Sequence, residues 1–284
     1  MNYQHAFHAG NFADVHKHVV LMRILMHLRT KPAAFRVIDT HAGAGRYDLL
    51  AEEPSRGGEW HAGIERVWEA AKGKLAAEVR DLLGPYLEAV AAENPDGSLR
   101  IYPGSPLIAK HLIRAQDRLI ACELEPRSAA ALMGLLRGDR RAKALAIDGW
   151  TAMAAYVPPK ERRGIVLTDP PFEDASDFIH LSGALATAHR KWPTGIYMQW
   201  YPIKAREPSE GLARRLQRLA IPKVLRSEIM LGPARADAGL VGSGLMVVNP
   251  PFTLEADLQA LLPALGRILA PEGTHRVDWL MSGR

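Results

Sequence analysis

The tetrapeptide Asp169-Pro170-Pro171-Phe172 contains the residue types that could activate an amino group attached to an aromatic ring. The lone pair of such a nitrogen is delocalised, and a carboxylate and a backbone carbonyl that each accept one N–H free it for attack on a methyl group. The two prolines restrict the backbone, so that the Asp169 carboxylate and the Pro170 carbonyl point together. The Phe172 ring offers a face for a base extruded from its stack. The chemistry that these residue types could perform is methylation of the N6 amino group of an adenine, although the tetrapeptide alone is more often a structural loop with a capping aspartate.

A second tetrapeptide, Asn249-Pro250-Pro251-Phe252, has the same form, so the string alone does not define a catalytic site. It follows residues 244–248, which we predict to be the last strand of the sheet. In sheets of the methyltransferase type the last strand runs antiparallel, and its carboxyl end lies on the side away from the cofactor. We therefore expect Asn249 to be structural. A strand count that was wrong by one would reverse this expectation.

Four predicted strands end at an acidic residue: Asp39, Glu123, Asp148 and Asp169. The strands are residues 35–39, 118–122, 142–147 and 164–168. Ligands of open parallel sheets bind outside the carboxyl ends of the strands. The glycine turn at Gly43 allows the backbone to approach a ligand closely, Glu123 is placed for ribose hydroxyls, and Asp148 is placed for an adenine amino group. This order of residues favours a cofactor that contains adenosine.

Other cofactors fit the sequence less well. The fingerprint of dinucleotide-binding proteins requires a third glycine at position 48, where the chain has Asp48, and no helix is predicted directly after the turn. Five histidines match no zinc-binding spacing and have no cysteine partner, so we predict no metal site. They are His5, His8, His16, His18 and His41. We expect His18 and His41 to line the cofactor pocket, and Cys122, inside a predicted strand, to be a core residue.

The composition is that of an ordinary globular protein, with 284 residues, 48% hydrophobic, 24% charged and a formal net charge of +5. The length suits one large α/β domain with a small insertion. The single cysteine cannot form an internal disulfide, and no signal peptide or bilayer-spanning stretch is recognisable. These features predict a cytoplasmic protein without a membrane partner. The positive charge favours an anionic partner such as a nucleic acid, but the basic residues are scattered and the charge alone decides nothing.

The elements that must position these residues alternate between helix and strand. Residues 12–30 carry an apolar stripe of helical period with Asn11 as N-cap, and Ser105 and Pro106 are predicted as N-cap and first residue of another helix. Further strands, which bring the total to seven, are predicted at 195–200, 224–230 and 244–248. Residues 47–103 interrupt the alternation with charged, alanine-rich helices. The sequence therefore predicts an α/β sheet domain with an inserted helical subdomain. The sheet domain comprises residues 1–46 and 104–284, and the inserted subdomain comprises residues 47–103.

Taken together, the motifs resemble one family, the bacterial adenine-N6 methyltransferases of 23S ribosomal RNA known as the large-subunit RNA methyltransferase J family. The segments that carry the resemblance are Tyr3, Phe7-His8-Ala9-Gly10-Asn11, Ala13-Asp14-Val15, Lys17-His18, Asp39 to Tyr47, Tyr102 to Ala109 and Asp169 to Phe172. The resemblance covers essentially the whole chain and also includes Trp200-Tyr201-Pro202 and Ser243-Gly244-Leu245-Met246. This combination is far more specific than any single motif.

The resemblance implies a Rossmann-like, class I methyltransferase dependent on S-adenosylmethionine, with a seven-stranded, mainly parallel sheet and a small helical insertion after the first strand. It implies action on 23S ribosomal RNA, with S-adenosylhomocysteine as the second product. We also expect a monomer and, from the histidine spacings, no metal. The residues expected at the cofactor are Lys17, His18, His41, Gly43, Ser105, Glu123, Asp148, Gly149 and Asp169. Asp169, Pro170 and Phe172 would be catalytic, while Tyr3 and Phe172 would contact the substrate adenine. Tyrosine is common in the family where this chain has Phe172, which preserves stacking but lacks the hydroxyl.

Three alternatives remain open at this point. The same chemistry could act on a DNA adenine, or on a protein glutamine amide, an option that the second tetrapeptide keeps open. The fold could also serve as a non-catalytic RNA-binding module. Mass spectrometry of nucleosides and peptides separates the first two alternatives from ribosomal RNA methylation. A titration with S-adenosylmethionine tests the third, because a non-catalytic module of this kind would not bind the cofactor.

Overall fold

A computed structural model describes residues 5–73, 75–172, 176–234 and 239–282. The helices are α1 (Phe12–Arg29), α2 (Glu52–Gly57), α3 (Ile64–Lys72), α4 (Ala77–Ala92), α5 (Ser105–Leu112), α6 (Pro126–Leu135), α7 (Gly149–Tyr156), α8 (Ser176–Lys191), α9 (Arg206–Arg218) and α10 (Leu254–Leu269). The strands are β1 (Arg36–Asp39), β2 (Arg46–Asp48), β3 (Ile101–Pro103), β4 (Arg118–Glu123), β5 (Ala142–Ala146), β6 (Gly164–Thr168), β7 (Ile196–Ile203), β8 (Val224–Met230), β9 (Gly242–Val248) and β10 (Thr274–Met281). Short helical turns also lie at His5–His8 and Glu59–Ala62.

Eight strands form the main sheet in the order β10-β8-β9-β7-β6-β1-β4-β5. Strands β5, β4, β1, β6 and β7 pair in parallel, whereas β9 lies antiparallel between β7 and β8. The predicted Rossmann-like α/β fold with a mainly parallel sheet is therefore confirmed. All seven predicted strands are present. The eighth, β10, pairs antiparallel with β8 at one edge and was not predicted, since its half-exposed, partly charged sequence lacks an apolar run.

Both faces of the main sheet are covered by helices, and alternate residues of the central strands face opposite layers. Val37 and Ile165 pack into the core on the side of α1, α5 and α10. Ile38 and Val166, one residue further along each strand, pack into the core on the side of α8 and α9. This arrangement explains the continuous apolar runs in β1 and β6, and it fixes the strand ends relative to the helices.

The segment between β2 and β3 forms a distinct layer over the first core. The two strands pair as a short antiparallel ribbon, with Tyr47 opposite Tyr102, and enclose α2, α3 and α4. Side chains of α3 and α4, including Ile64 and Tyr86, join the same core as α1. The division into a sheet domain and an inserted subdomain remains a proposal, because the two regions share this core.

The N-caps of α1 and α5, the two helices predicted next to the site, can be compared with the prediction. Asn11 caps α1 as predicted, since its side-chain oxygen accepts from the backbone N–H groups of Ala13 and Asp14. In α5 the N-cap is Gly104, and Ser105 is already the first helical residue, so the prediction of Ser105 as N-cap was wrong by one position. Within the described ranges, no helix has both the length and the apolar character required to cross a bilayer.

Candidate active site

The carboxyl ends of four neighbouring parallel strands form the floor of the candidate site. Strands β6, β1, β4 and β5 are adjacent in this order, so the acids that follow them lie side by side. We call this region the carboxyl edge; its acids are Asp169, Asp39, Glu123 and Asp148. The sequence predicted this grouping from strand ends that are far apart in the chain.

Helix α1 places a lysine against the acid of the first tetrapeptide. Lys17 Nζ donates to Asp14 Oδ1 at 2.8 Å and to Asp169 Oδ2, and its side chain is 5% exposed. Burial alone would lower the pKa of Lys17, but the two carboxylates outweigh it and raise the pKa above its usual value, so the lysine is an ammonium ion. Among the described residues no hydrogen bond reaches Asp169 Oδ1. The ion pair therefore fixes the orientation of Asp169 and leaves one oxygen available.

Two cavities meet at this ion pair. A narrow cleft of about 10 Å³ runs over the strand ends and is lined by His18, His41, Gly43, Tyr47, Gly104 and Ser105, besides Lys17 and Asp169. A larger cavity of about 280 Å³ opens on the other side, and Lys17 and Asp169 line it as well. The ion pair thus separates the cleft from the larger cavity. This is the position required of a group that acts between one reactant bound in each cavity.

Asp39 lies beneath the cleft as a buried acid. Neither of its carboxylate oxygens has a hydrogen-bond partner of normal geometry among the described residues. Burial raises the pKa of Asp39 to about 7, although the Ser105 hydroxyl and the Lys17 ammonium nearby oppose that rise. An unpaired buried carboxylate is costly, and a positively charged ligand in the cleft would stabilise it. Asp39 and Ser105 therefore suit the ammonium or sulfonium group of a cationic cofactor.

Glu123 shapes the glycine turn after β1. Its Oε2 accepts from the backbone N–H of Gly43 at 2.8 Å, and its Oε1 accepts from the backbone N–H of Glu125 at 2.8 Å. These bonds orient the half-buried carboxylate at the end of β4 beside the cleft. Each carboxylate oxygen can accept more than one hydrogen bond, so Glu123 retains capacity for ribose hydroxyls.

Asp148 and Gly149 lie next to His41, which lines the cleft. The ring of His41 makes a hydrogen bond with the Thr40 hydroxyl at 2.8 Å, and burial lowers its pKa to about 4 despite Asp169 and Asp148 nearby. A Cβ atom at Gly149 would lie 2.2 Å from the Thr40 carbonyl and within 2.8 Å of the His41 ring, so this position requires glycine. Asp148 caps α7 by accepting from the backbone and hydroxyl of Thr151, both at 2.8 Å. These three predicted residues are therefore brought together.

The inserted segment holds His18 in place. His18 Nδ1 and the Tyr102 hydroxyl are 2.7 Å apart, the two rings stack at 5.6 Å, and the Tyr102 hydroxyl also contacts that of Tyr86 at 3.2 Å. Tyr47, opposite Tyr102 in the ribbon, is buried and lines the cleft. Neither tyrosine of the ribbon, nor Tyr86, was predicted to have a role at the site. The available signal was a tyrosine at each end of the predicted insertion, Tyr47 and Tyr102.

The larger cavity has an aromatic wall next to Asp169. The Phe172 ring lies 4.8 Å from that of Phe178 and 5.8 Å, edge to face, from that of Trp200. Trp200 is itself held by a hydrogen bond from its indole N–H to the Ser243 hydroxyl at 3.0 Å. Pro170 and Phe172 both line the cavity, as does Trp200, whose role at the cavity was not predicted. Tyr3, expected at the substrate adenine, lies outside the described residues.

The histidines lie in separate settings. His16 is fully buried between the hydroxyls of Ser243 and Ser227, at 3.0 and 2.8 Å, and burial lowers its pKa to about 3. His8 lies at the rim of the larger cavity, 3.0 Å from Glu59, and the hydrogen bond with Glu59 raises its pKa. Cys122 is buried in the core, as predicted.

The second tetrapeptide lies at the opposite edge of the sheet. It follows β9, which runs antiparallel to β7, and the Asn249 amide donates to the carbonyls of Pro193 and Gly195 at 2.8 Å each. Those carbonyls precede the first residue of β7, at the amino ends of the parallel strands. Phe252 is 88% exposed and makes only an edge contact with His27 among the described rings. The prediction that Asn249 is structural agrees with this position.

Comparison with known proteins identifies the family of the chain. Residues 32–281 match the family model described as ribosomal RNA large subunit methyltransferase D, RlmJ. The chain is 40% identical to ribosomal RNA large subunit methyltransferase J of Escherichia coli and 38% identical to that of Haemophilus influenzae, each over 99% of both chains. A crystal structure of protein LPL1258 from Legionella pneumophila is 32% identical, with a TM-score of 0.87 over 95% of this chain and 98% of that one. The chain therefore belongs to the ribosomal RNA large subunit methyltransferase J family.

Proposed function

We propose that the protein transfers a methyl group from S-adenosylmethionine to the exocyclic N6 of a specific adenine in 23S ribosomal RNA. The observation that carries this proposal is the Lys17–Asp169 pair on the wall between the cleft and the larger cavity. Family membership supports ribosomal RNA as the substrate class. The aromatic wall of the larger cavity supports a planar base as the acceptor.

The residues around the cleft fit S-adenosylmethionine. The buried, unpaired carboxylate of Asp39 suits its positive charge, and the oriented carboxylate of Glu123 suits its ribose. Asp148, His41 and Gly149 lie where its adenine would be held, and we further assign Lys17, His18, Gly43, Ser105 and Asp169 to this cofactor site. When bound, the cofactor supplies a methyl group on a sulfonium, a strong electrophile.

The protein contributes position and hydrogen bonding to this reaction. An adenine in the larger cavity would stack on Phe172 and place its amino group at Asp169 Oδ1, the oxygen that Lys17 leaves available. Accepting one N–H there, together with a second N–H at the Pro170 carbonyl, frees the nitrogen lone pair to attack along the line to the methyl group. The new bond between the nitrogen and the methyl carbon would form as the bond between that carbon and the sulfonium breaks, and the nitrogen would lose one proton to solvent. The products are N6-methyladenine and S-adenosylhomocysteine. No step requires a metal ion, so activity is expected to survive chelation by EDTA.

The substitution Asp169→Ala tests this function. We expect it to abolish methyl transfer to 23S RNA while S-adenosylmethionine still binds in a calorimetric titration. Asn249→Ala is the matched control, because it changes the corresponding residue of the second tetrapeptide at the other edge, and it should keep the wild-type kcat. Wild-type incorporation of labelled methyl groups by Asp169→Ala would refute the mechanism.

The molecule that carries the new methyl group identifies the substrate. Mass spectrometry of digested RNA, DNA and protein after incubation should show N6-methyladenine in 23S RNA alone. The reason for considering glutamine methylation was the second tetrapeptide, and its position at the opposite edge removes that reason. Methylated glutamine, or methylated adenine confined to DNA, would contradict the proposal.

We also propose that the enzyme acts as a monomer in the cytoplasm. Sedimentation velocity should therefore show an active species of about the chain mass, 31.2 kDa. Activity confined to a larger assembly would contradict the monomer.

A further inference from the structure

The charges of the chain are unevenly distributed between the two edges of the main sheet. Six helix-to-strand connections reach the amino ends of β1, β4, β5, β6, β7 and β8; with their flanking residues they are 29–36, 110–118, 137–141, 157–163, 190–195 and 218–223. These 41 residues contain 16 of the 36 lysines and arginines and 3 of the 31 acids. Their net charge is +13, whereas the other 243 residues carry a net charge of −8. We call this surface the basic edge.

Ion pairs within the basic edge neutralise only its inner residues. The three acids pair with half-buried cations, namely Glu161 with Arg36, Asp117 with Arg114, and Asp139 with both Arg141 and Lys110. Ten of the sixteen cations are exposed, and none of these ten forms an ion pair within the described part of the chain. The outer surface is therefore a set of uncompensated positive charges.

Helix dipoles do not account for this excess. Six helices, α1 and α5 to α9, end at the basic edge, and each C-terminus carries roughly half a negative charge. Together they amount to about −3, far less than the +13 of the connections. Some of the half-buried arginines do serve the helix ends: Arg163 donates to the carbonyl of Leu28 at 2.6 Å. The ten exposed cations lie beyond what the helix ends require.

The basic edge has the shape of an extended row. Strands β5, β4, β1, β6, β7, β9 and β8 are consecutive in the sheet, and strands lie about 4.8 Å apart, so the row is roughly 29 Å long. This length corresponds to about eight base-pair steps of a duplex, at roughly 3.4 Å each. By contrast, the inserted segment 47–103 contains eleven acids and six basic residues, a net charge of −5, and is poorly suited to phosphate.

We propose that the basic edge binds the phosphate backbone of the RNA substrate at a distance from the target adenine. This inference rests on the proposed function for the identity of the polyanion. The five residues of β6 span about 17 Å between the basic edge and the end of that strand, where Asp169 lies. The screening length at physiological salt is about 8 Å, so the basic edge cannot act on the chemical step through its field. It acts instead by holding segments of a long RNA, whereas a stem–loop of at most about four base pairs, roughly 14 Å long, does not span the distance to it.

A triple charge reversal tests this proposal. Lys31→Glu, Arg140→Glu and Lys160→Glu, combined, change exposed residues in the connections before β1, β5 and β6. The matched control combines Lys72→Glu, Arg80→Glu and Arg267→Glu, three exposed cations of α3, α4 and α10 with the same change in charge. Filter binding measures the affinity for full-length 23S RNA over a range of salt concentrations, and single-turnover assays measure methylation of a short stem–loop that carries the target adenine.

The basic-edge variant is expected to bind full-length 23S RNA roughly tenfold or more weakly, with a salt dependence reduced by about one unit of slope per lost phosphate contact. Its methylation of the stem–loop, its cofactor affinity and its thermal unfolding should match those of the control. Equal weakening in both variants, equal weakening for long and short RNA, or no weakening would each overturn the proposal. Because binding is measured without methylation, a wild-type protein that bound 23S RNA but failed to methylate it would refute the proposed function separately.

Discussion

At the carboxyl edge Asp169 belongs to a nearly buried ion-pair cluster with Lys17 and Asp14, whereas the basic edge carries ten exposed cations that form no ion pair within the described residues. Lys17, Asp14 and Asp169 interact in a medium of low dielectric constant, where a short contact fixes geometry. An exposed charge is screened within a few ångströms and fixes little, but many such charges in a row attract a polyanion. The comparison separates two needs of an enzyme that modifies a large RNA: rigid placement of one amino group, and retention of the remainder of the molecule.

The two Pro-Pro-Phe tetrapeptides show the same contrast within one sequence motif. Asp169 follows a parallel strand and faces two cavities, whereas Asn249 follows an antiparallel strand and holds the carbonyls before β7. Phe172 is packed between Phe178 and Trp200, while Phe252 is almost fully exposed. Strand direction, and not the tetrapeptide itself, determines which copy can take part in chemistry.

Among the substitutions that test the difference between the two edges, Lys17→Met is expected to have the largest effect on stability and rate. Removing the ammonium leaves Asp14 and Asp169 buried without their cation, which should lower the free energy of unfolding by about 3–5 kcal/mol. Asp169 also loses its fixed orientation, and a displacement of about 1 Å costs roughly 100-fold in rate. Denaturant unfolding and single-turnover methylation of a short stem–loop measure the two effects.

Lys160→Met is the matched comparison for stability, because it removes an exposed lysine of the basic edge. Its free energy of unfolding should stay within about 0.5 kcal/mol of wild type. Lys17 positions Asp169 through the ion pair, so Lys17→Arg should recover part of the rate that Lys17→Met loses. A Lys17→Met protein with wild-type kcat would show that Asp169 does not need the ion pair.

A smaller effect is expected from the aromatic rings of the two tetrapeptides. Phe172→Ala removes the stacking face beside Asp169, and stacking of one base is worth about 1–3 kcal/mol, so the KM for a short stem–loop should rise roughly 5- to 150-fold. Phe252→Ala should leave that KM and kcat unchanged. Phe172→Tyr keeps the ring and should keep the KM near wild type. An equal response to Phe172→Ala and Phe252→Ala would break the distinction between the two edges.

The strand-end acids could be predicted because each depends on a local pattern. A buried strand followed by an acid is visible in the sequence, and parallel pairing brings such ends together by topology alone. The eighth strand could not be predicted, since His275, Arg276 and Asp278 give it the pattern of an exposed segment and only its pairing with β8 makes it a strand. An edge strand with one solvent-facing side lacks a strong apolar signal.

The long-range contacts at the site could not be predicted from the sequence, for a related reason. Lys17 and Asp169 are 152 residues apart, and no local spacing shows that they form an ion pair. The hydrogen bond between His18 and Tyr102 depends on how the inserted ribbon returns over α1. The resemblance to a known family placed Lys17 and His18 at the cofactor, but the contacts that hold them required the fold.

The pH dependence that Asp39 confers on stability and on cofactor binding is the smallest expected effect. It is also the most specific test of the difference between the carboxyl edge and the basic edge. Its pKa is raised by burial from 3.8 to about 7, although Ser105 and Lys17 oppose that rise. The folded protein therefore binds more protons than the unfolded chain between these values, so the contribution of Asp39 to stability decreases as pH rises through this window. The exposed cations of the basic edge have no such buried partner, and their substitution should leave this pH dependence unchanged.

A cationic cofactor next to Asp39 favours the carboxylate, so its binding near pH 6 should release close to one proton. With a free pKa of about 7, the fraction of Asp39 that is ionised rises about tenfold between pH 6 and pH 8, and the affinity for S-adenosylmethionine should rise by about the same factor. Calorimetry in buffers of different ionisation enthalpy measures both quantities. Asp39→Asn should abolish the proton release and flatten the affinity profile, with its main loss of affinity at pH 8. A profile that stayed steep in Asp39→Asn would assign the titration to another group, such as His8, whose pKa is raised at the rim of the larger cavity by its hydrogen bond with Glu59.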